Sequence, residues 1–376
     1  MHGSLLAAAT IAIAAIGASA APATRRSYSA PNSGSDASTS GGSTGSPFPF
    51  ADGFPTPSPQ QLQQIEIDAH GTLSNATPPA NISAQGLVNL RLIDFGERIE
   101  AVFFEELLFN VTTGVSGYEL PSWVDYDYFV NFLNVTQHVE ELHNLNAVNA
   151  LAHFNQTAIQ PCTRYNFPVS NLEEAITLAM TFTSNVFGVL GEVVQIFAQN
   201  GDVGLVRGIV QAVANEGEQN GFFRYLLGRV PDELPFTTVS NRDFAFTALQ
   251  GFVDPTSCPN IDIISADLKT FEKVTFLDTP VAQTQDVRLS LSIDKYVSGK
   301  AYNVVYVNQL NNPVVVPATY VSSDATSVII KATFPFDEHL MNGLTIASVT
   351  DQAGPFANVD AVAQAAIWAP AFAVVN

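Results

Sequence analysis

The stretch Asn131–Pro168 reads NFLNVTQHVEELHNLNAVNALAHFNQTAIQPCTRYNFP, and its reading decides how the rest of the chain is arranged. Glu140 and His143 stand three residues apart in it, and on a helix positions i and i+3 share one face. One metal ion or one proton network could therefore touch both side chains. The stretch closes on Cys162, which with Cys258 makes up the cysteine content of the chain.

Helical periodicity extends to either side. Apolar residues recur at Val88, Leu92, Phe95, Ile99 and Phe103, with a second row at Ile93, Phe104 and Leu108. This pattern over Leu87–Leu108 predicts a helix apolar over more than half its circumference, hence a buried one, with Ser83 placed to cap it. A second helix is expected over about Tyr126–Ala152. A third should start at Asn171, with Glu173 and Glu174 in the first turn where the dipole favours acids, and end at Asn200-Gly201. A fourth should span Val203–Gly228, halted by Pro231, and a shorter fifth Asn241–Phe252. Four long apolar helices with modest connections predict a helical bundle.

Beyond Asn260 the period changes to two. Val287, Leu289, Leu291 and Ile293 alternate with Arg288, Ser290 and Ser292. Further strands are expected at Tyr302–Val307, Val314–Val316, Ser327–Thr333, Leu344–Val349 and Ala366–Val375, punctuated by Gly, Asn, Asp and Pro. That spacing predicts an antiparallel β-sandwich. The expected fold is α+β, multidomain: a bundle over 61–260 followed by a sandwich over 261–376.

Composition bounds the function. With 47% apolar and 13% charged residues, the 376-residue chain has material for large cores. A formal charge of −20 argues against nucleic-acid partners, which need a basic footprint. Leu5–Ile16 is an apolar run too short to span a bilayer, and Ala18-Ser19-Ala20 supplies a small-x-small cleavage site, so 1–20 reads as a signal peptide. No transmembrane segment is expected. Residues 21–60, rich in Ser, Gly, Pro and Thr, read as a disordered linker. Sequons at Asn75, Asn81, Asn110, Asn134 and Asn155 agree with a secreted, extracellular or cell-wall protein. In an oxidising compartment Cys162 and Cys258 are expected to pair, the alternative being two buried thiols.

A carboxylate-bridged di-metal bundle needs a Glu from each of two helices and Glu-x-x-His from each of the other two. Here the first helix offers Glu97, with Glu100 one turn on, and the second offers Glu140 and His143. The fourth offers Glu216-Gly-Glu-Gln219, with Gln in the place of the second His. The third has no Glu near its middle, and Glu192 should face elsewhere. Converging acids would be costly as bare charges. Either a metal neutralises them, or they share protons as coupled acids with raised pKa values, or they find a basic partner. His138, beside the Asn134 sequon, is expected at the surface. Asn185, Gly188 and Gly191 are expected to allow close helix approach.

The segments EELHNLNAVNALAHF, QPCTRYNFPVSN, NEGEQNGFFR and DFAFTALQGFVDPTSCPN resemble the secreted ferritin-like proteins of filamentous fungi. The group they are most similar to is that of the late sexual development proteins, related to fungal stress-response proteins. The resemblance spans about Gln61–Leu268 and implies a ferritin-like four-helix bundle. It implies metal positions at Glu97, Glu140, His143 and Glu216, with Thr183 and Gln219 at degenerate ligand positions. The missing ligands favour a non-enzymatic protein of development or stress, with the β-domain meeting an extracellular or cell-wall partner. The alternative is an oxidase or ferroxidase-like enzyme using the residual cluster with one iron, manganese or zinc ion.

Overall fold

The computed structural model describes residues 46–231 and 234–376. The expected signal peptide and residues 21–45 of the expected linker lie outside them. Among the described residues six helices come first: α1 (Pro59–Asp68), α2 (Ala84–Thr112), α3 (Tyr126–His153), α4 (Leu172–Gln199), α5 (Val203–Leu226) and α6 (Arg242–Gln250). Their starts follow from capping chemistry. Ser83 Oγ accepts the Gly86 N–H, Asp125 accepts that of Tyr128, and Asn171 that of Glu174. Each meets a backbone donor that the first helical turn leaves without a partner. Gly201, at φ +85°, makes the turn between α4 and α5 that a side chain would strain.

Cross-helix pairs fix the directions. The Ser83 N–H at the head of α2 donates to Asp202 Oδ1 at the head of α5 (2.9 Å), so these helices run parallel. Asn144 Nδ2 donates to the Asp94 carbonyl (2.7 Å), while Phe104 and Phe132 both meet Phe223, so α3 runs opposite to α2. Asn89 pairs with Val193, and Phe103 meets Phe182, so α4 also runs opposite to α2. The order is up, down, down, up, and residues 154–171 carry the chain the length of the bundle between α3 and α4.

The polar side of α2 is buried as well. Asp94 pairs with Arg98 one turn on, accepts from Asn144 Nδ2 (2.9 Å), and accepts from the Ile159 N–H (2.7 Å). This network ties α2 to α3 and to the crossover. The crossover is tied again at Cys162, which forms a disulfide with Cys258. Around the bridge, Thr163 N donates to Ser257 O, Asn166 N to Phe252 O, and Arg164 pairs with Asp254. α4 is apolar and long enough to cross a membrane by composition, and 67% of its most apolar window is buried within the molecule.

The linker expectation fails from Phe48 onward. Phe54 is wholly buried and Phe50 nearly so, and both pack into the bundle core with Phe48 against them. Average composition concealed three aromatic anchors among Pro, Gly and Ser. The expectation for Gly191 also fails, since a Cβ there would meet nothing within 4 Å. At Gly188 a Cβ would lie 2.4 Å from the Thr238 carbonyl, so the close approach is to a connecting segment.

Eight strands follow: β1 (Val274–Phe276), β2 (Gln285–Ser292), β3 (Asn303–Asn308), β4 (Val314–Pro317), β5 (Thr319–Ser323), β6 (Ser327–Phe334), β7 (Gly343–Thr350) and β8 (Trp368–Val375). They form two antiparallel sheets, ordered β1-β2-β6-β5 and β4-β3-β7-β8. Val287, Leu289 and Leu291 of β2 meet Tyr306, Val349 and Trp368 of the other sheet in a shared core. Short helices α7 (Asp262–Ser265), α8 (Phe336–His339) and α9 (Val359–Ala365) complete the chain. β7 is buried along its whole length because its sheet is covered on both faces, by the first sheet and by α9 with Phe244 of α6. Lys269 joins the two parts further: its N–H donates to Asp243 Oδ1 of α6 (2.9 Å), and its Nζ reaches α9. It donates to the carbonyls of Ala363 and Ala366 at the end of α9 (3.1 and 3.2 Å), where the helix dipole favours a cation.

Candidate metal centre

Midway along the bundle α2, α3 and α5 bring Glu97, Glu140, His143 and Glu216 together, with one ligand atom from each within 4.8 Å of the others. Glu140 and Glu216 are wholly buried and Glu97 is 5% exposed. Helical spacing places Glu140 and His143 on one face. His143 Nδ1 lies 3.1 Å from Glu140 Oε2, 3.5 Å from Glu97 Oε2 and 3.6 Å from Glu216 Oε1. The imidazole is thus the hub of three carboxylates.

Hydrogen bonds do not account for this cluster. Both carboxylate oxygens of Glu216, and Oε2 of Glu97, have no hydrogen-bond partner among the described residues. Buried polar atoms are nearly always paired, and an exception calls for an explanation. Electrostatics repeats the point. Burial pushes Glu97 up to about 7, against the pull of His143 and with a further push from Glu140. Glu100 and Glu216 are held well above the usual carboxylate range, first by burial and then by neighbouring acids. His143 is raised well above its ordinary value because the charge of Glu97 and its hydrogen bond to Glu140 outweigh desolvation. Glu100 therefore belongs to the same electrostatic unit as the four expected residues.

Gln219 and Thr183, the positions that the resemblance marks as degenerate, differ in what they do. Gln219 Nε2 donates to Glu140 Oε1 (2.8 Å) and to Asn215 Oδ1 (3.2 Å). An amide donor thus occupies the oxygen of Glu140 that does not face His143. Thr183 is buried and its Oγ1 has no hydrogen-bond partner among the described residues, and Glu192 is held elsewhere by the Arg242 N–H (2.6 Å) and Asn241 Nδ2 (3.1 Å). Three oxygens and one imidazole fit a single divalent ion, and the unpaired carboxylate oxygens are where its ligands should be. A cavity of about 80 Å³ adjoins the cluster, lined by Glu97, Glu100, Gly96, Phe182, Leu249 and Phe372 among others. Apart from the two acids and a few polar groups its walls are apolar.

The remaining expectations sort by exposure. Asn75, Asn81 and Asn155 are exposed on connecting segments, whereas Asn110 and Asn134 are partly buried within α2 and α3. His153 Nε2 meets the Pro79 carbonyl at 3.1 Å and its ring lies against Phe154, a packing role. His138 is not at the surface. It is 8% exposed and faces Asp52, a residue that average composition had consigned to the linker. The signal that could have exposed the error is the spacing of Phe48, Phe50 and Phe54 around Asp52.

No protein-family model and no curated protein matches the chain.

Proposed function

We propose that this is a secreted protein whose helical part is a ferritin-like bundle holding one transition-metal ion at Glu97, Glu140, His143 and Glu216. The observation that carries the reading is the meeting of three buried carboxylates with one imidazole, where oxygens of Glu97 and Glu216 have no hydrogen-bond partner among the described residues. Bare charges there would be costly, and a divalent ion offsets that cost. The helix directions, with one long crossover between α3 and α4, support the ferritin-like assignment. The disulfide supports an oxidising compartment. Gln219 on Glu140 favours one ion over a di-iron pair.

The donor set suits iron, manganese or zinc. On this reading the protein serves sexual development or stress response, the ion stabilises the bundle, and the β-sandwich meets an extracellular or cell-wall partner. A second reading, an oxidase or ferroxidase-like enzyme, is favoured by one observation: the apolar cavity reaches Glu97 and Glu100 and could admit a small apolar molecule. A bound iron or manganese ion would supply the redox chemistry there.

Elemental mass spectrometry on secreted protein purified without chelators tests the site. The wild type should carry about one more equivalent of metal than a Glu140→Ala/His143→Ala variant. Equal metal in the two proteins after reconstitution would overturn the proposal.

A further inference from the structure

A second cluster lies one helical face away from the first. Asp52, His138 and Glu141 each place a ligand atom within 4.8 Å of the other two. Asp52 belongs to the N-terminal segment anchored by Phe50 and Phe54, whereas His138 and Glu141 are i and i+3 on α3. The chain therefore folds its N-terminal segment back so that an aspartate meets a buried histidine and a buried glutamate.

The orientation of His138 is informative. Its Nδ1 lies 2.6 Å from the Asn134 carbonyl, which can only accept, so Nδ1 carries the proton and donates. Nε2 is thereby turned toward Asp52 Oδ2 at 3.6 Å, too long for a hydrogen bond. A backbone carbonyl that fixes one ring nitrogen and presents the other is the arrangement seen behind metal-ligating histidines. Glu141 supplies an independent sign. It is wholly buried, its Oε1 accepts from Gln137 Nε2 (3.0 Å), and its Oε2 has no hydrogen-bond partner among the described residues. Gln137 Oε1 is buried and likewise has no hydrogen-bond partner among the described residues. Acceptors thus converge on a point where a cation is the fitting occupant.

We propose that Asp52, His138 and Glu141 form a second divalent-cation site, which clamps the N-terminal segment to the bundle. One imidazole nitrogen and two carboxylates suit zinc or manganese. The site is separate from the Glu97–Glu140–His143–Glu216 cluster in its ligands, and it stands or falls independently of that one.

The test is calorimetric titration of the full chain with Zn²⁺ in the Glu140→Ala/His143→Ala background, where the first cluster is disabled. That protein should take up one equivalent, and adding Asp52→Asn should weaken uptake at least about tenfold. Asp52 lies on an anchored surface segment, so circular dichroism should show an unchanged fold. Hydrogen exchange supplies a second readout: Zn²⁺ should slow exchange of the 50–54 amides in the parent and not in the Asp52→Asn variant. Absence of uptake by the parent, uptake that Asp52→Asn leaves unchanged, or exchange at 50–54 that Zn²⁺ leaves unchanged would each overturn the proposal.

Discussion

Glu216 presents two buried carboxylate oxygens that no described residue satisfies, while Glu140, one helix away, has one oxygen on the Gln219 amide and the other toward His143. Burial, and then the charges of Glu140 and Glu97, hold Glu216 well above the usual carboxylate range, and Gln is the isostere of the protonated acid. Glu216→Gln should therefore leave the metal-free melting temperature nearly unchanged and weaken metal binding at least about tenfold, read by titration. Asp94 should behave otherwise. Its carboxylate serves Arg98, Asn144 and the Ile159 N–H at once, so Asp94→Ala should cost about 3–5 kcal/mol in urea unfolding by leaving Arg98 buried without its partner. A loss below 1 kcal/mol would show that the network is not what holds α2 to the crossover. At this scale the sequence named Glu97, Glu140, His143 and Glu216 through helical spacing and resemblance. It could not name Asp52, because nothing local to FADGF says which helix that loop meets.

The long helices were legible because period, caps and stops agreed: Ser83, Asn171 and Gly201 each do what their types suggest. β2 was legible for the same reason, since only one face is buried and the residues alternate. β1 and β5 were not, being three and five residues long, one too short for periodicity and the other exposed throughout. The N-terminal segment was misjudged because its anchoring rests on a few aromatic rings and not on period. Phe54→Ala should cost about 3–5 kcal/mol and raise proteolysis near residues 50–57, as expected for a large side chain lost from a core. Wild-type proteolysis in that variant would mean the segment is held by something else. The Cys162–Cys258 bridge spans 96 residues. In the chain-entropy account a loop of about that size contributes roughly 4–5 kcal/mol, so reduction should lower the melting temperature by several degrees. An unchanged value would contradict the stabilising role.

Across the whole molecule the buried acids set the response to pH. Glu97, Glu105 and Glu192 are each pushed up to about 7 from an ordinary 4.5, chiefly by burial. Such groups bind protons more tightly folded than unfolded, so stability falls as pH rises from about 4.5 through 7. His143, raised well above its ordinary value, contributes in the same sense, losing its stabilisation as pH climbs through its folded pKa. Exposed Asp254, Asp278 and Asp324, held down to about 2, act oppositely but only below about pH 4. In chelator the urea midpoint should therefore decline from pH 5 to pH 8, and saturating metal should reverse the trend by taking the place of the protons. A midpoint that rises with pH in chelator would contradict the electrostatic reading. The most direct measurement is an anomalous difference map from crystals grown with Mn²⁺ or Zn²⁺, recorded at the metal's absorption edge. The account predicts a peak within coordination distance of Glu97, Glu140, His143 and Glu216. A map without density at that point, from protein saturated with the ion, would contradict it.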